Sequence, residues 1–352
     1  MYNVLILGAS YGSLLAAKLV LAAHTVKLVC LPAEADAINA EGIRVRLPVK
    51  GRDGLVEVDS RRAPGSISAA APQAADPARH DLVVLAMQEP QYRSSGVREL
   101  LAGAARSRVP CMSIMNMPPL PYLARIPGLR TEALADCYSD AAVWDGFDPA
   151  RVTLCSPDPQ AFRPPEAKIN VLQVSLPTNF KAARFDDPAH TAMLRTIAAG
   201  IEAIRFEDRG REIDLPVKLK VHDSLFVPLA KWSMLLAGNY RCVGPEAMIS
   251  IRDAVHGDLA ASRRVYEWVG EVCMALGAAE NDLVPFDKYT AAALGLTRPS
   301  SAARALAAGA THIERTDRLV QAIARRKGMR LEAVDEVVSR IDARLAANRR
   351  AA

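Results

Sequence analysis

No two of the six cysteines share a C-x-x-C spacing, and none lies beside a histidine-rich stretch. Cys30, Cys111, Cys137, Cys155, Cys242 and Cys273 are scattered over 352 residues. Metal ligation needs clustered ligands, and disulfide frameworks belong to small secreted domains, so reduced thiols and no metal are expected. Aromatics make up only 5% of the chain, and 44 basic against 39 acidic residues leave a net charge of +5 without long runs. A nucleic-acid surface would cluster basic residues among aromatics, so no nucleic-acid partner is expected. The first apolar stretch, from Val4, is interrupted by Ser10, Tyr11 and Lys18, and no cationic segment precedes it. Neither a signal peptide nor a membrane span is expected, and the expected location is cytoplasmic.

Apolar residues, in contrast, make up 50% of the chain. That supports two domains, since single cores rarely grow past roughly 250–300 residues. Residues 3–8 read as a strand, 13–23 as a helix and 26–30 as a second strand, one βαβ unit. A helix over 33–41 ends at Gly42, and 43–47 resumes strand alternation. The Ala-, Pro- and Ser-rich stretch 61–79 reads as a loop or ragged helix. Strands at 81–87 and 109–115 flank a helix at 97–105, and strand-like segments at 172–175 and 177–185 precede a helix at 191–204. Strands are expected to cease near Leu215, leaving helices at 222–239, 245–275, 300–326 and 331–347. This is an α/β reading: a Rossmann-like doubly wound parallel sheet over 1–214, then an all-helical domain over 215–352. The amphipathic stretch 331–347 suits a dimer contact or a capping helix.

The turn after the first strand is Gly8-Ala9-Ser10-Tyr11-Gly12-Ser13. Against G-x-G-x-x-G it lacks the middle glycine and is one residue short. It either seats a dinucleotide at the helix N-terminus or is a tight turn that binds nothing. Tyr11 would cover the nucleotide or obstruct it. At the end of strand two, where an acid or an Arg would choose between NAD and NADP, stand Cys30, Leu31 and Pro32.

Several segments, in order, resemble the ketopantoate reductase (2-dehydropantoate 2-reductase) family. They are LGASYGSLLAAKL from Leu7, AINAEGIRVRL from Ala37, DLVVLAMQEPQY from Asp81 and VPCMSIMNMPPLPYLARI from Val109. The second half adds AKWSMLLAGNYRCVG from Ala230 and RPSSAARALAAGATHIERTDRLVQAIARRKGM from Arg298. The resemblance implies hydride transfer from NADP or NAD to a small 2-oxo acid or related carbonyl, and a homodimer. It makes Gly8, Ala9, Ser10, Tyr11, Gly12, Ser13, Gln88 and Asn116 the cofactor residues. Lys231 and Glu314 become catalytic, and Asn239, Ser300, Ser301 and Asn116 would hold substrate. Reducing a ketone needs an acid for the new alkoxide, which a lysine supplies together with positive charge. Lys231, Leu235 and Asn239 share a face at helical spacing.

The chain departs from the family at Gln88, where a lysine is usual, and at Leu235, where an asparagine is usual. It departs again at Met115-Asn116-Met117-Pro118-Pro119, in place of Q-N-G. Other readings stay open: Lys231 as a surface lysine beside Trp232, Glu314 as a helical acid paired with Arg318, Ser300 as a helix cap, Asn116 as a turn residue. The functional alternatives are an opine- or imine-type dehydrogenase, for which His222 and Asp223 would be the proton-transfer pair, and a redox-silent protein binding a metabolite or partner.

Overall fold

A computed structural model describes residues 1–352. The chain forms two compact units: residues 1–87, 91–125 and 142–223 make the first, and residues 88–90, 126–141 and 224–352 the second.

The first unit holds strands β1 (Asn3–Leu7), β2 (Thr25–Val29), β3 (Arg44–Pro48), β4 (Leu55–Asp59), β5 (Ser66–Ala70), β6 (Leu82–Leu85) and β7 (Cys111–Ile114). It continues with β8 (Val152–Ser156), β9 (Gln160–Phe162), β10 (Val171–Leu176), β11 (Phe180–Ala183), the hairpin β12 (Phe206–Asp208) and β13 (Arg211–Ile213), and β14 (Leu219–His222). Its helices are α1 (Ala9–Leu21), α2 (Pro32–Glu41), α3 (Val97–Ser107), α4 (Leu120–Leu123) and α5 (Pro188–Ala203). The large sheet runs β14-β11-β8-β7-β6-β1-β2-β5. Its six strands from β5 to β8 are parallel, in the 3-2-1-4-5-6 succession of the doubly wound dinucleotide fold. The strand order reverses between β1 and β6, and such a switch point is where these sheets take ligands. β11 is antiparallel to β8 and parallel to β14.

A second sheet, β4-β3-β10-β9, shares one apolar core with the first. The helix α1 belongs to that core: Leu14, Leu15, Leu19 and Val20 cluster with Ile6 and Val26 of the large sheet and Val45 and Leu172 of the small one. A helix apolar on nearly every side must be covered on nearly every side. Lys18 is its exception, buried with the rest.

Two expectations fail in this unit. Within 61–79 lies β5, in parallel register with β2. Its Ser- and Ala-rich sequence carries little strand signal, but the Asn39 amide takes both outward groups of Ala69, donating to its carbonyl at 2.9 Å and accepting from its N–H at 2.8 Å. The strands also continue past 215. β14 pairs residue by residue with β11, so His222 ends a strand and starts no helix.

The second unit is helical: α6 (Lys231–Met234) running into a π-helical turn over Leu235–Asn239, then α7 (Ile251–His256), α8 (Leu259–Leu276), α9 (Phe286–Ala293), α10 (Ser301–Ala307), α11 (Thr316–Arg326) and α12 (Glu332–Ala351). The expected continuous helix over 245–275 is broken at Gly257, after which the Asp258 carboxylate accepts the Ala261 N–H and starts α8. The expected helix over 300–326 is also two helices, with Gly309 at φ +86° in the non-helical link. Glu314 therefore lies outside any helix, and the i, i+4 pairing with Arg318 does not arise. No helix is long and apolar enough to cross a membrane.

Candidate active site

At the switch point Gly8 ends β1 with φ +104°. Its N–H donates to the Val29 carbonyl at 2.9 Å, while Ala86 N–H donates to the Leu7 carbonyl at 2.8 Å, so the ends of β2 and β6 both close on it. A Cβ at Gly8 would lie 2.6 Å from Met87 Cγ and 2.8 Å from the Ala86 carbonyl oxygen. Gly12 does a different job: a Cβ there would lie 2.7 Å from Ile6 Cγ2, so its absence lets α1 lie against β1. These are the first and third glycine roles of a dinucleotide loop. α1 begins at Ala9 with no side-chain cap and no acid in its first turn, so the N–H groups there suit an anion.

The loop side chains divide. Ser10 is exposed. Ser13 is buried and its hydroxyl donates to the Ala9 carbonyl, inside the helix. The Tyr11 hydroxyl donates to the Pro159 carbonyl at 2.8 Å, and its ring meets Phe180 edge-on at 5.9 Å. Burial holds this phenol well above its ordinary pKa. Tyr11 therefore fastens the β8–β9 turn to the first turn of α1.

That fastening has a consequence at the end of β2. Arg163 follows β9 directly, and its guanidinium pairs with the carboxylate of Glu34 in the first turn of α2. The neighbouring Cys30 thiol is pushed up to about 11 by burial, with the Arg163 charge pulling the other way. Arg163 thus stands beside the end of β2 although it lies about 130 positions later in the sequence. Nothing local in the sequence marks Arg163. The remaining candidates here are Asn116, half-buried after β7 between buried Met115 and Met117, and exposed Gln88, which falls in the second unit.

In the second unit Lys231 is 9% exposed, which removes the surface-lysine reading. Residues eight apart in a regular α-helix stand about 80° apart around the axis. The π-turn inserts one residue between Lys231 and Asn239 and reduces that to about 20°. The turn is built around Gly238. The Tyr289 hydroxyl donates to the Met234 carbonyl at 3.1 Å, and a Cβ at Gly238 would lie 2.0 Å from that hydroxyl. Leu235, at the position of the family asparagine, is a core residue.

Ser300 fixes the far end of the turn. Its hydroxyl donates to the Asn239 carbonyl at 2.6 Å and accepts the Ala303 N–H at 3.1 Å, capping α10. Its single proton is therefore already given, and a carboxylate ligand would find no donor there. Ser301 is exposed.

Glu314 is 7% exposed and accepts the Glu89 N–H at 3.3 Å. Glu89, which no motif in the sequence marks, is itself buried and accepts the Ser139 N–H at 2.9 Å. An acid beside a proline looks like surface in a sequence. The Tyr240 hydroxyl, the residue after the π-turn, donates to the Glu314 carbonyl at 2.7 Å and accepts the Thr316 N–H at 3.0 Å. Behind it Arg315 forks onto Asp317 at 3.0 and 2.9 Å and also reaches Asp342. Asn239, Ser300 and Glu314 are thus linked, Ser300 through the Asn239 carbonyl and Glu314 through Tyr240, the residue after Asn239, while Lys231 begins the helix that runs into the same turn. His222 and Asp223 form no such group: Asp223 is exposed and pairs with Arg195 at 2.5 Å.

Solved structures share this fold. The chain superposes over 98% of its length on 97% of a 2-dehydropantoate 2-reductase from Methylococcus capsulatus, with TM-score 0.62 and 15% identity. The chain has the ketopantoate reductase fold. A dimeric ketopantoate reductase from Staphylococcus aureus matches over 98% of this chain and 99% of its own, with TM-score 0.59 and 12% identity. D-mandelate dehydrogenase, solved with NADH and anilino(oxo)acetate, matches over 99% of both chains, with TM-score 0.62 and 12% identity. No family model matches the sequence, and no curated relative does.

Proposed function

We propose that this protein is a nicotinamide-dependent oxidoreductase that reduces a small 2-oxo acid or related polar carbonyl, with Lys231 as general acid. The observation that carries the reading is the buried Lys231 brought into line with Asn239 by a π-turn. Burying a lysine costs free energy that packing alone does not return, and π-turns inside helices gather at functional sites. The fold supports the same reading, since its solved neighbours include 2-dehydropantoate 2-reductases and an NADH-bound D-mandelate dehydrogenase.

The loop at Gly8 fits a dinucleotide: a strained glycine at the switch point is followed by uncapped first-turn N–H groups, and that turn carries no acidic residue. Gly8, Ala9, Ser10 and Gly12 would hold the pyrophosphate through backbone, while Tyr11 and Ser13 shape the loop. Gln88 and Asn116 would lie toward the nicotinamide end. When bound, the reduced nicotinamide supplies a hydride to the ketone carbon. The chain does the rest. The Lys231 ammonium gives a proton to the ketone oxygen as charge builds there, and its positive charge stabilises that oxygen. The Asn239 amide orients the substrate, with Ser301 at the edge and Ser300 holding the turn in place. Glu314 compensates the lysine charge and accepts from substrate hydroxyls. A cytoplasmic homodimer completes the proposal.

The test is a spectrophotometric screen of small 2-oxo acids with NADPH or NADH, with and without added amines. Oxidation of the reduced cofactor that needs a 2-oxo acid and no amine is expected. Lys231→Ala should lower kcat/KM by about 10²–10⁴-fold while leaving the unfolding midpoint unchanged or higher. Full activity in that variant would overturn the assignment, and a strict amine requirement would favour the opine-type reaction.

A further inference from the structure

A cavity of about 480 Å³ opens beside the first residues of β1 and β2, at the opposite end of β1 from Gly8. Val26 and Leu28 belong to the α1 core, so Thr25 and Lys27 lie on the other face of the sheet. There Lys27 stands beside its register partner Ser68 on the edge strand β5. Residues 73–76, Arg79 and His80 complete the lining, which holds no apolar side chain larger than alanine. Lys27 makes no ion pair, and the Ser68 hydroxyl has no partner in the protein. The Asp76 carboxylate is committed elsewhere: it accepts the Ala78 N–H at 3.0 Å and pairs with Arg79 at 3.3 Å. His80 is 9% exposed, and its Nδ1 lies 2.9 Å from the Asp76 carbonyl oxygen. A carbonyl only accepts, so Nδ1 carries the proton and Nε2 of the neutral ring is an acceptor. Burial holds the ring below its ordinary pKa, with the Asp76 carbonyl opposing and the Lys27 charge assisting. That Nε2 has no partner in the protein. Asn3 behaves alike: its amide nitrogen donates to the Arg79 carbonyl at 2.8 Å, which leaves Oδ1 as a second open acceptor.

We propose that this cavity binds a small polyhydroxylated carboxylate, an acid of the sugar-acid class. Lys27 and Ser68 take its carboxylate, while His80 and Asn3 accept from its hydroxyls. A half-buried ammonium without a counter-ion calls for an anion. With Arg79 held on Asp76, one lysine balances one charge, which suits a carboxylate better than a phosphate dianion. Two acceptors whose donor groups are already used call for ligand protons, and hydroxyls supply them. An apolar ligand would find almost nothing to bury itself against. The volume falls within the range of small-molecule sites, roughly 300–1,000 Å³. The proposal stands apart from the oxidoreductase reading, because every residue in it lies in the first unit and none is in the dinucleotide loop.

Saturation-transfer NMR titration of the full chain with gluconate, sorbitol and hexanoate tests it, with inorganic phosphate as competitor. Wild type should bind gluconate saturably and more tightly than sorbitol, which lacks the carboxylate, or hexanoate, which lacks the hydroxyls. Lys27→Met keeps the stem and removes the charge, and should weaken gluconate by about 10–100-fold, the loss of a charged hydrogen bond. His80→Asn keeps an N–H for the Asp76 carbonyl and removes Nε2. It should weaken gluconate by about 2–10-fold and leave hexanoate unchanged. Lys231→Ala, in the second unit, should bind gluconate as wild type does. Unfolding midpoints near that of wild type are the folding control, and Lys27→Met decides the matter alone if His80→Asn does not fold. Absence of saturable gluconate binding overturns the proposal, as does binding that survives Lys27→Met unchanged or is lost in Lys231→Ala. Sorbitol bound as tightly as gluconate, or phosphate displacing gluconate at lower concentration than gluconate itself requires, overturns the carboxylate assignment.

Discussion

Gly8 in the first unit and Gly238 in the second each stand where another part of the chain comes too close for a side chain, yet what approaches them differs. At Gly8 it is mainly backbone: the Ala86 carbonyl would lie 2.8 Å from an added Cβ, and φ is +104°. At Gly238 it is one hydroxyl, Tyr289 Oη, 2.0 Å from an added Cβ, with Val255 and Ile251 next at 3.2 and 3.3 Å. Backbone in the middle of a parallel sheet cannot withdraw without dragging β6 with it. A hydroxyl can be deleted. The first site is therefore a fixed constraint, and the second is one half of a replaceable pair.

The largest effect should follow from Gly8→Ala. It adds a Cβ against backbone and forces an alanine into a conformation that costs of order 1–3 kcal/mol by itself. With overpacking of a further 1–3 kcal/mol or so, denaturant unfolding should show a loss of about 2–6 kcal/mol, and nucleotide titration should show no binding. A variant within about 0.5 kcal/mol of wild type would mean the turn is not held as described.

Gly238→Ala should cost less, about 1–3 kcal/mol of overpacking, and should lower turnover because Lys231 and Asn239 sit on either side of the displaced turn. Tyr289→Phe alone removes one hydrogen bond to the Met234 carbonyl, worth about 1 kcal/mol. The double variant should be more stable than the sum of the two, with a coupling of at least about 1 kcal/mol. Strict additivity in that cycle would show that Tyr289 is not what closes on Gly238.

The same contrast explains what could be read from the sequence. The parallel sheet was legible because its strands are short apolar runs between helical ones, and Gly8 because a glycine after a first strand has few other uses. The π-turn was not legible, because an inserted residue leaves the apolar pattern of Trp232, Leu235 and Leu236 looking like an ordinary helix. Glu314 was placed on a helix that the structure ends at Ala307 and restarts at Thr316, since alanine-rich sequence hides a break that only Gly309 marks. Arg163 and Glu89 were invisible for a third reason. Each is an ordinary polar residue whose role comes from partners far along the chain, Glu34 for one and Glu314 for the other. β5 escaped because the Asn39 amide, and not its own Ser- and Ala-rich sequence, secures its edge.

Lys18, which looked in the sequence like a mere interruption of an apolar helix, gives the smallest and most specific prediction. Its ammonium donates to the Pro216 carbonyl, and its pKa is lowered to about 7, first by burial and then by the Lys218 charge, with Asp214 opposing. The ordinary value for this group is 10.5, so between the two values the unfolded chain holds a proton that the folded chain has released. Stability then rises with pH across that window, by at most about 1.4 kcal/mol per pH unit. Below it both states are protonated and the cost of the buried charge is fully present. Lys18→Met removes the titration and leaves Pro216 without this donor, an offset of about 1–3 kcal/mol that does not vary with pH. The unfolding free energy of wild type, measured in denaturant at pH 7 and pH 9, should therefore rise by about 2 kcal/mol more than that of the variant. Parallel curves for the two proteins would show that Lys18 keeps its proton in the fold, solvated more fully than its place among the apolar side chains of α1 implies.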